Sequence, residues 1–232
     1  MRITSDHSDL AISAKDRDLM CQVLLAGGPK GGEAAICTMM SDGLSLKGLY
    51  LDVLGPVARH LGTLWWEDQA TFLGVSTAAV RIEEILRKFQ STKSIIVRSK
   101  KQAIFASVPG EGHTIGVRMA ADLQRTKGWD IHLVTNASFG DLLSEIENSP
   151  AEILGLSIGS RASMHGLYSI VKALRVSRPN MKILVSGSLI SVDTSPIELL
   201  GVDAIAGSFE QAETMMDELL VSSDNVEIRT AG

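Results

Sequence analysis

Ala103-Ile-Phe-Ala-Ser-Val-Pro-Gly-Glu-Gly-His-Thr-Ile-Gly116 is the stretch on which the fold turns. Its opening run, Ala103–Val108, is short and almost wholly apolar, the pattern of a buried strand. Gly110 and Gly112 break that run, and from Thr114 to Lys127 apolar residues return at helical spacing. A strand passing through a glycine loop into a helix is the opening unit of an α/β domain. Within that loop stand a carboxylate and an imidazole, Glu111 and His113, with glycines around them.

The alternation continues downstream. Ile131–Val134 precedes a helix over Gly140–Glu147, and Ile153–Ser157 one over Met164–Val176. Ile183–Val185 leads to Ser195–Leu200, and Ala204-Ile205 to Phe209–Leu220, after which a polar tail is expected to fray. Five such units predict a parallel, doubly wound sheet of the flavodoxin-like (Rossmann-type) class. Ligands of such sheets sit at the carboxyl ends of the strands, where residues 109–116, 157–160 and 186–189 should meet.

Upstream the period is helical from Asp9 to about Gln90. One apolar stripe runs through Leu46, Leu49, Tyr50, Val53, Val57, Leu61 and Leu64; a second runs from Phe72 through Val75, Ala79, Ile82, Ile85 and Leu86 to Phe89. Shorter helices are predicted near Asp9–Ala26 and Glu33–Ser41, parted by Gly27-Gly28-Pro29. Four helices with short connections predict a bundle. Pro56 should kink the third, because it lacks an N–H and crowds the preceding turn. The chain thus reads as an all-α bundle over 1–92, a linker over 93–101 and an α/β domain over 102–232.

Composition narrows the function classes. The net charge of −5 is shared evenly, with 9 basic and 11 acidic residues in 1–92 and 13 and 16 in 93–232. Neither half is a phosphate-seeking module, so direct DNA binding is not expected. The basic cluster Lys93, Arg98, Lys100 and Lys101 reads as a solvated linker. No apolar stretch approaches the ~20 residues that a bilayer requires, and the polar, acidic start is not a signal peptide. A cytoplasmic protein is expected. Cys21 and Cys37 fall on apolar helix faces and read as buried thiols.

The chemistry of His113 points to a metal held from one side. A neutral imidazole is a good axial donor to an ion whose equatorial positions are already filled, and a carboxylate on its far nitrogen sets the tautomer. Gly116 lacks bulk where a large flat ligand would approach.

Glu111-x-His113-x-x-Gly116 resembles the Asp-x-His-x-x-Gly motif of cobalamin (B12)-binding modules. The resemblance implies that His113 replaces the cofactor's own benzimidazole beneath cobalt, with Glu111 orienting it. Ser157 matches the serine of the family's Ser-x-Leu motif, and Ser186-Gly187 falls where many members carry Gly-Gly lining the channel of the nucleotide tail. Tyr50…Pro56…Leu61-Gly62…Trp65 looks like the bundle that covers cobalamin in light-responsive regulators, with Trp65 over the upper face.

Three departures refine this. Glu111 stands for aspartate, and Gly159 for leucine. The Trp-x9-Glu-His pairing of adenosylcobalamin regulators falls on Val75-Ser76 when counted from Trp65. That pattern is similar to the stand-alone antirepressors of photosynthesis genes in purple bacteria, the AerR/PpaA type. The resemblance implies a light-responsive regulator, not an enzyme, that binds hydroxo- or adenosylcobalamin and acts through a transcriptional repressor protein.

Other readings stand beside this one. A corrinoid carrier for methyl transfer shares the domain order, but such carriers continue His-Asp-Ile-Gly-Lys-Asn where this chain has His113-Thr-Ile-Gly-Val-Arg118. Haem could use the same histidine in a sensor of the same fold. Gly110-x-Gly112-x-x-x-Gly116 loosely matches a dinucleotide fingerprint, yet Val134-Thr135-Asn136 comes next where an acidic residue is wanted. Trp65 reads equally as a core anchor; Trp66 reads as a partner-binding or interface aromatic. His132 is expected to pack within its strand, His60, His165 and His7 to be solvated, and the pairs Met39-Met40 and Met215-Met216 to fill core. No Ser/His/Asp set, carboxylate pair or Walker loop supports catalysis.

Overall fold

A computed structural model describes residues 12–28, 30, 32–90, 101–192 and 194–230. The chain divides into two compact units, the first ending at Gln90. Residues 91–100, which hold most of the predicted linker and its basic cluster, and His7 lie outside the described residues.

The first unit is helical. It comprises α1 (Ala14–Ala26), α2 (Glu33–Ser41), the short α3 (Leu46–Gly48), a π-helical segment (Leu49–Leu54), α4 (Gly55–Trp66) and α5 (Phe72–Phe89). Side-chain caps begin three of these: Ser13 accepts from Asp16 N–H at 3.1 Å, Ser45 from Gly48 N–H at 3.0 Å and Thr71 from Gly74 N–H at 3.1 Å, satisfying amides that the helix leaves free. Met20, Cys21 and Leu24 of α1 are buried, as are Val57 and Leu61 of α4 and Ala78, Ile82 and Ile85 of α5. Burial pushes the Cys21 thiol up to about 11, with Asp18 adding to the effect. Cys37 departs from the buried-thiol expectation: it is only half-buried, with its sulfur 3.6 Å from Lys88 Nζ.

Pro56 acts through a π segment. It has no N–H to return to Asp52, four residues back, so the helix widens over Leu49–Leu54 and Gly55 N–H bonds to the carbonyl of Tyr50. The carbonyl of Asp52 is not orphaned, because Ile12 N–H donates to it at 3.3 Å. His60 also differs from its solvated reading: its side chain is 22% exposed and Nε2 lies 3.0 Å from Asp18.

The second unit holds β1 (Gln102–Ser107), α6 (Ile115–Thr126), β2 (Asp130–Val134), α7 (Phe139–Glu147) and β3 (Ile153–Ser157). Beyond them come α8 (Met164–Ser177), β4 (Lys182–Ser186), α9 (Ser195–Glu198), β5 (Ala204–Ala206) and α10 (Phe209–Thr230). All five strands are parallel, in the order β2-β1-β3-β4-β5. β1 alternates between two cores. Ile104 and Ala106 pack with Leu142 and Ile146 of α7 and with Leu167, Ile170 and Val171 of α8. Ala103 and Phe105 pack with Val117 and Ala121 of α6, Trp129 and Met216. A strand buried on both faces is what a doubly wound sheet requires.

Three expectations change here. His132 does not pack within β2; its side chain is 54% exposed and meets Glu145 at 2.9 Å, because its position alternates outward on the sheet's edge strand. α10 continues through Thr230 rather than ending near Leu220. Of the four methionines read as core filling, Met216 is buried while Met39, Met40 and Met215 are half-buried.

Candidate functional site

In a parallel sheet of this order, the chain reverses winding between β1 and β3, and the crevice outside their carboxyl ends is where ligands bind. The register brings three strand ends level there, with Ser107 paired to Ser157 and Ser157 to Ser186. Val108 N–H donates to Ser157 O at 3.1 Å, extending the ladder one step before the β1 loop departs. Gly110, at φ 84°, then turns the chain so that Glu111 N–H returns to Val108 O at 3.0 Å.

This turn aims Glu111 inward. The residue is 3% exposed, and both carboxylate oxygens are engaged. Oε1 accepts from His113 N–H at 2.9 Å and is hydrogen-bonded to the His113 ring at Nδ1. Oε2 accepts from the consecutive N–H groups of Gly159 and Ser160, at 2.7 and 3.0 Å. One side chain therefore ties the loop after β1 to the loop after β3. Paired backbone amides of this kind form a small anion-holding concavity.

Electrostatics derive from those contacts. Burial pushes the Glu111 carboxyl up, but the bonds from the His113 ring, the His113 N–H and the Gly159 N–H together outweigh it and hold the group at about 2. The same bond to Glu111 raises His113, against an opposing desolvation effect. Because Glu111 is ionised it can only accept, so the neutral His113 ring carries its proton on Nδ1 and keeps the lone pair on Nε2. The His113 side chain is 75% exposed.

The other predicted residues fall around this pair. Gly116 lies on the first turn of α6, exposed, with open space where a Cβ would stand. Ser157 is buried at the end of β3 and Ser186 half-buried at the end of β4. Gly187, at φ 124°, directs its missing side chain at the Ile158 carbonyl, which a Cβ would approach to 2.2 Å. Its bareness lets the β3 and β4 loops close on each other. Trp65 belongs to the helical unit, where it is 50% exposed at the end of α4, and Trp66 is 83% exposed. His165 is exposed on the first turn of α8.

Sequence reasoning missed three participants. The amides of Gly159 and Ser160 carry no side-chain signal, and no residue type in the loop after β3 announces their role. Gly166 in α8 is required because a Cβ there would come within 2.0 Å of the Pro109 carbonyl. Only the approach of the β1 loop to that helix reveals it.

Among the described residues no group of three or more His, Cys, Asp or Glu could hold a metal ion, and no helix is long and apolar enough to cross a membrane. A single well-oriented imidazole suits an ion whose remaining donors arrive with its own ring.

Comparison with known proteins places this arrangement in context. Over 152 residues, 64% of this chain and 79% of the other, the chain is 23% identical to an uncharacterised 20.5-kDa protein from the bchF-crtJ intergenic region of Rhodobacter capsulatus. Its fold is similar to that of the Methanosarcina barkeri monomethylamine corrinoid protein, at a TM-score of 0.67 and 18% identity, covering 87% of this chain and 95% of that one. The methanol:cobalamin methyltransferase complex MtaBC of the same organism matches at a TM-score of 0.50 and 13% identity, over 91% and 82% of the chains. The model of the B12-binding domain matches residues 101–217, just over half of the sequence and the whole of the parallel sheet, and the chain belongs to that family.

Proposed function

We propose that this protein is a cobalamin-dependent transcriptional regulator that works by contact with a repressor protein rather than by catalysis. The single observation that carries the cofactor part of this reading is the four-bonded Glu111 carboxylate, which fixes the His113 ring by Nδ1 and leaves Nε2 to an axial metal. The surroundings fit a corrin. His113 is exposed, Gly110, Gly112 and Gly116 have open space at their Cβ positions, and Ser157 and Ser186 end their strands in register one step behind. When bound in its adenosyl form, the cofactor would supply a light-sensitive carbon–cobalt bond; the hydroxo form is what remains once that bond is gone. The chain's own residues would hold it: His113 as donor to the metal, Glu111 as the anchor of that ring, and Ser157, Ser186 and Gly187 as lining for the nucleotide tail.

Support for the regulatory part comes from the sequence pattern of the bundle and from the relative encoded in the bchF-crtJ intergenic region. Two residues just past the histidine speak against the carrier reading. Val117 and Arg118 occupy the positions of lysine and asparagine; Val117 is buried in the α6 core, and Arg118 reaches Thr135 at 3.1 Å. The upper group of the cofactor is taken to be hydroxo or adenosyl.

Reconstitution tests this directly. Purified protein mixed with hydroxo- or adenosylcobalamin in the dark should retain a corrin spectrum that changes in His113→Ala. If wild type and variant both emerge colourless, the sensor reading fails. A Soret band in protein from a cobalamin-supplied host would indicate haem, and methyl transfer to or from bound cobalt would restore the carrier.

A further inference from the structure

The His113 ring lies against Gly159. A methyl group built there would stand 3.0 Å from Nδ1 and 3.1 Å from Cβ and Cγ of His113, closer than packed side chains normally allow. Nothing in the backbone demands glycine, since Gly159 is not among the residues with positive φ. The demand comes from the ring alone. The same residue's N–H holds Glu111 Oε2 at 2.7 Å, and Glu111 in turn grips the ring with its other oxygen. The exposed ring has room to swing outward, but only by releasing that grip.

We propose that Gly159 is the positioning residue for the His113 imidazole: its amide anchors the carboxylate, and its bare Cα makes the place into which that carboxylate draws the ring. Glu111 and Gly159 form a matched pair. The long glutamate reaches across to the β3 loop, and the neighbour it reaches must carry no side chain. The inference rests on the reading of His113 as axial donor for its purpose, though not for its geometry.

The apo protein, labelled with nitrogen-15 in its histidines, tests this on the alkaline plateau of the His113 nitrogen shifts, where the ring is neutral. Long-range proton–nitrogen correlation should show His113 as the Nδ1–H tautomer in wild type. In Gly159→Ala the ring is displaced by a few tenths of an ångström, and the spectrum should move toward the Nε2–H form of free imidazole. Gly159→Leu should complete that move, and Gly159→Ala serves alone if the leucine variant does not fold. Hydroxocobalamin affinity should fall roughly 10–100-fold, the range typical of lost outer-shell support. A wild-type tautomer in Gly159→Ala would overturn the proposal. If the tautomer shifts but no variant, wild type included, takes up cobalamin, the positioning role stands and the cobalamin reading fails.

Discussion

Replacing Glu111 with glutamine probes the staple between the β1 and β3 loops. The amide keeps the shape of the carboxylate but not its four-fold acceptance. One end must turn an NH2 toward backbone donors, either that of His113 or those of Gly159 and Ser160. The size of the loss is set by the carboxyl's depression from 4.5 to about 2 in a residue only 3% exposed. At about 1.4 kcal/mol per pH unit, that is about 3 kcal/mol of folding stability. Hydrogen bonds to a charged group, each about 1.5–3 kcal/mol, give the same order after the neutral bonds that glutamine retains are subtracted. For a unit of this size the melting temperature should fall by roughly 10 °C. Circular dichroism melts across pH add a sign. A depressed carboxyl contributes stability that is present above 4.5 and lost as pH falls through about 2. The raised histidine contributes below 6.5 and loses its contribution as pH climbs through its higher folded value. The gap between wild type and Glu111→Gln should therefore be widest between those two ordinary values and narrow on either side. A variant melting within about 2 °C of wild type at neutral pH would refute the reasoning.

Other substitutions should separate contact from exposure. Gly166→Ala and Gly187→Ala, whose new Cβ atoms would meet backbone carbonyls at 2.0 and 2.2 Å, should each destabilise the sheet unit by more than about 3 kcal/mol in urea titrations. Near-wild-type midpoints would show that the loops do not close as described. Trp129→Ala should remove about 3–5 kcal/mol from the core, while Trp66→Ala, at 83% exposure, should stay within about 0.5 kcal/mol. Equal losses would contradict the packing assigned to them.

The sheet is legible in the sequence because its two periods are distinct: runs such as Ile153–Ser157 are fully buried, and the helices between them carry clear apolar stripes. His113 and Glu111 are legible because side-chain chemistry is printed in the sequence. Much of what holds them is main chain. The Gly159 and Ser160 amides and the carbonyls of Pro109 and Ile158 belong to no residue type, and no spacing encodes which loop they approach. His132 misleads for a related reason. Alternation marks the faces of a strand, but not that β2 would lie at the sheet edge with Glu145 in reach. Pro56 announces a disturbance without its form, since the remedy for Asp52 comes from the amide of Ile12, far back in the chain.

The most direct measurement is electron paramagnetic resonance of unlabelled cobalamin, reduced to cobalt(II), bound to protein uniformly labelled with nitrogen-15. An axial nitrogen splits each cobalt line into a triplet if it is the common isotope and into a doublet if it is nitrogen-15. Donation from His113 Nε2 predicts doublets that vanish in His113→Ala. Triplets in the labelled complex would mean that the cofactor's own benzimidazole still sits beneath the metal, and the role given to His113 would be wrong.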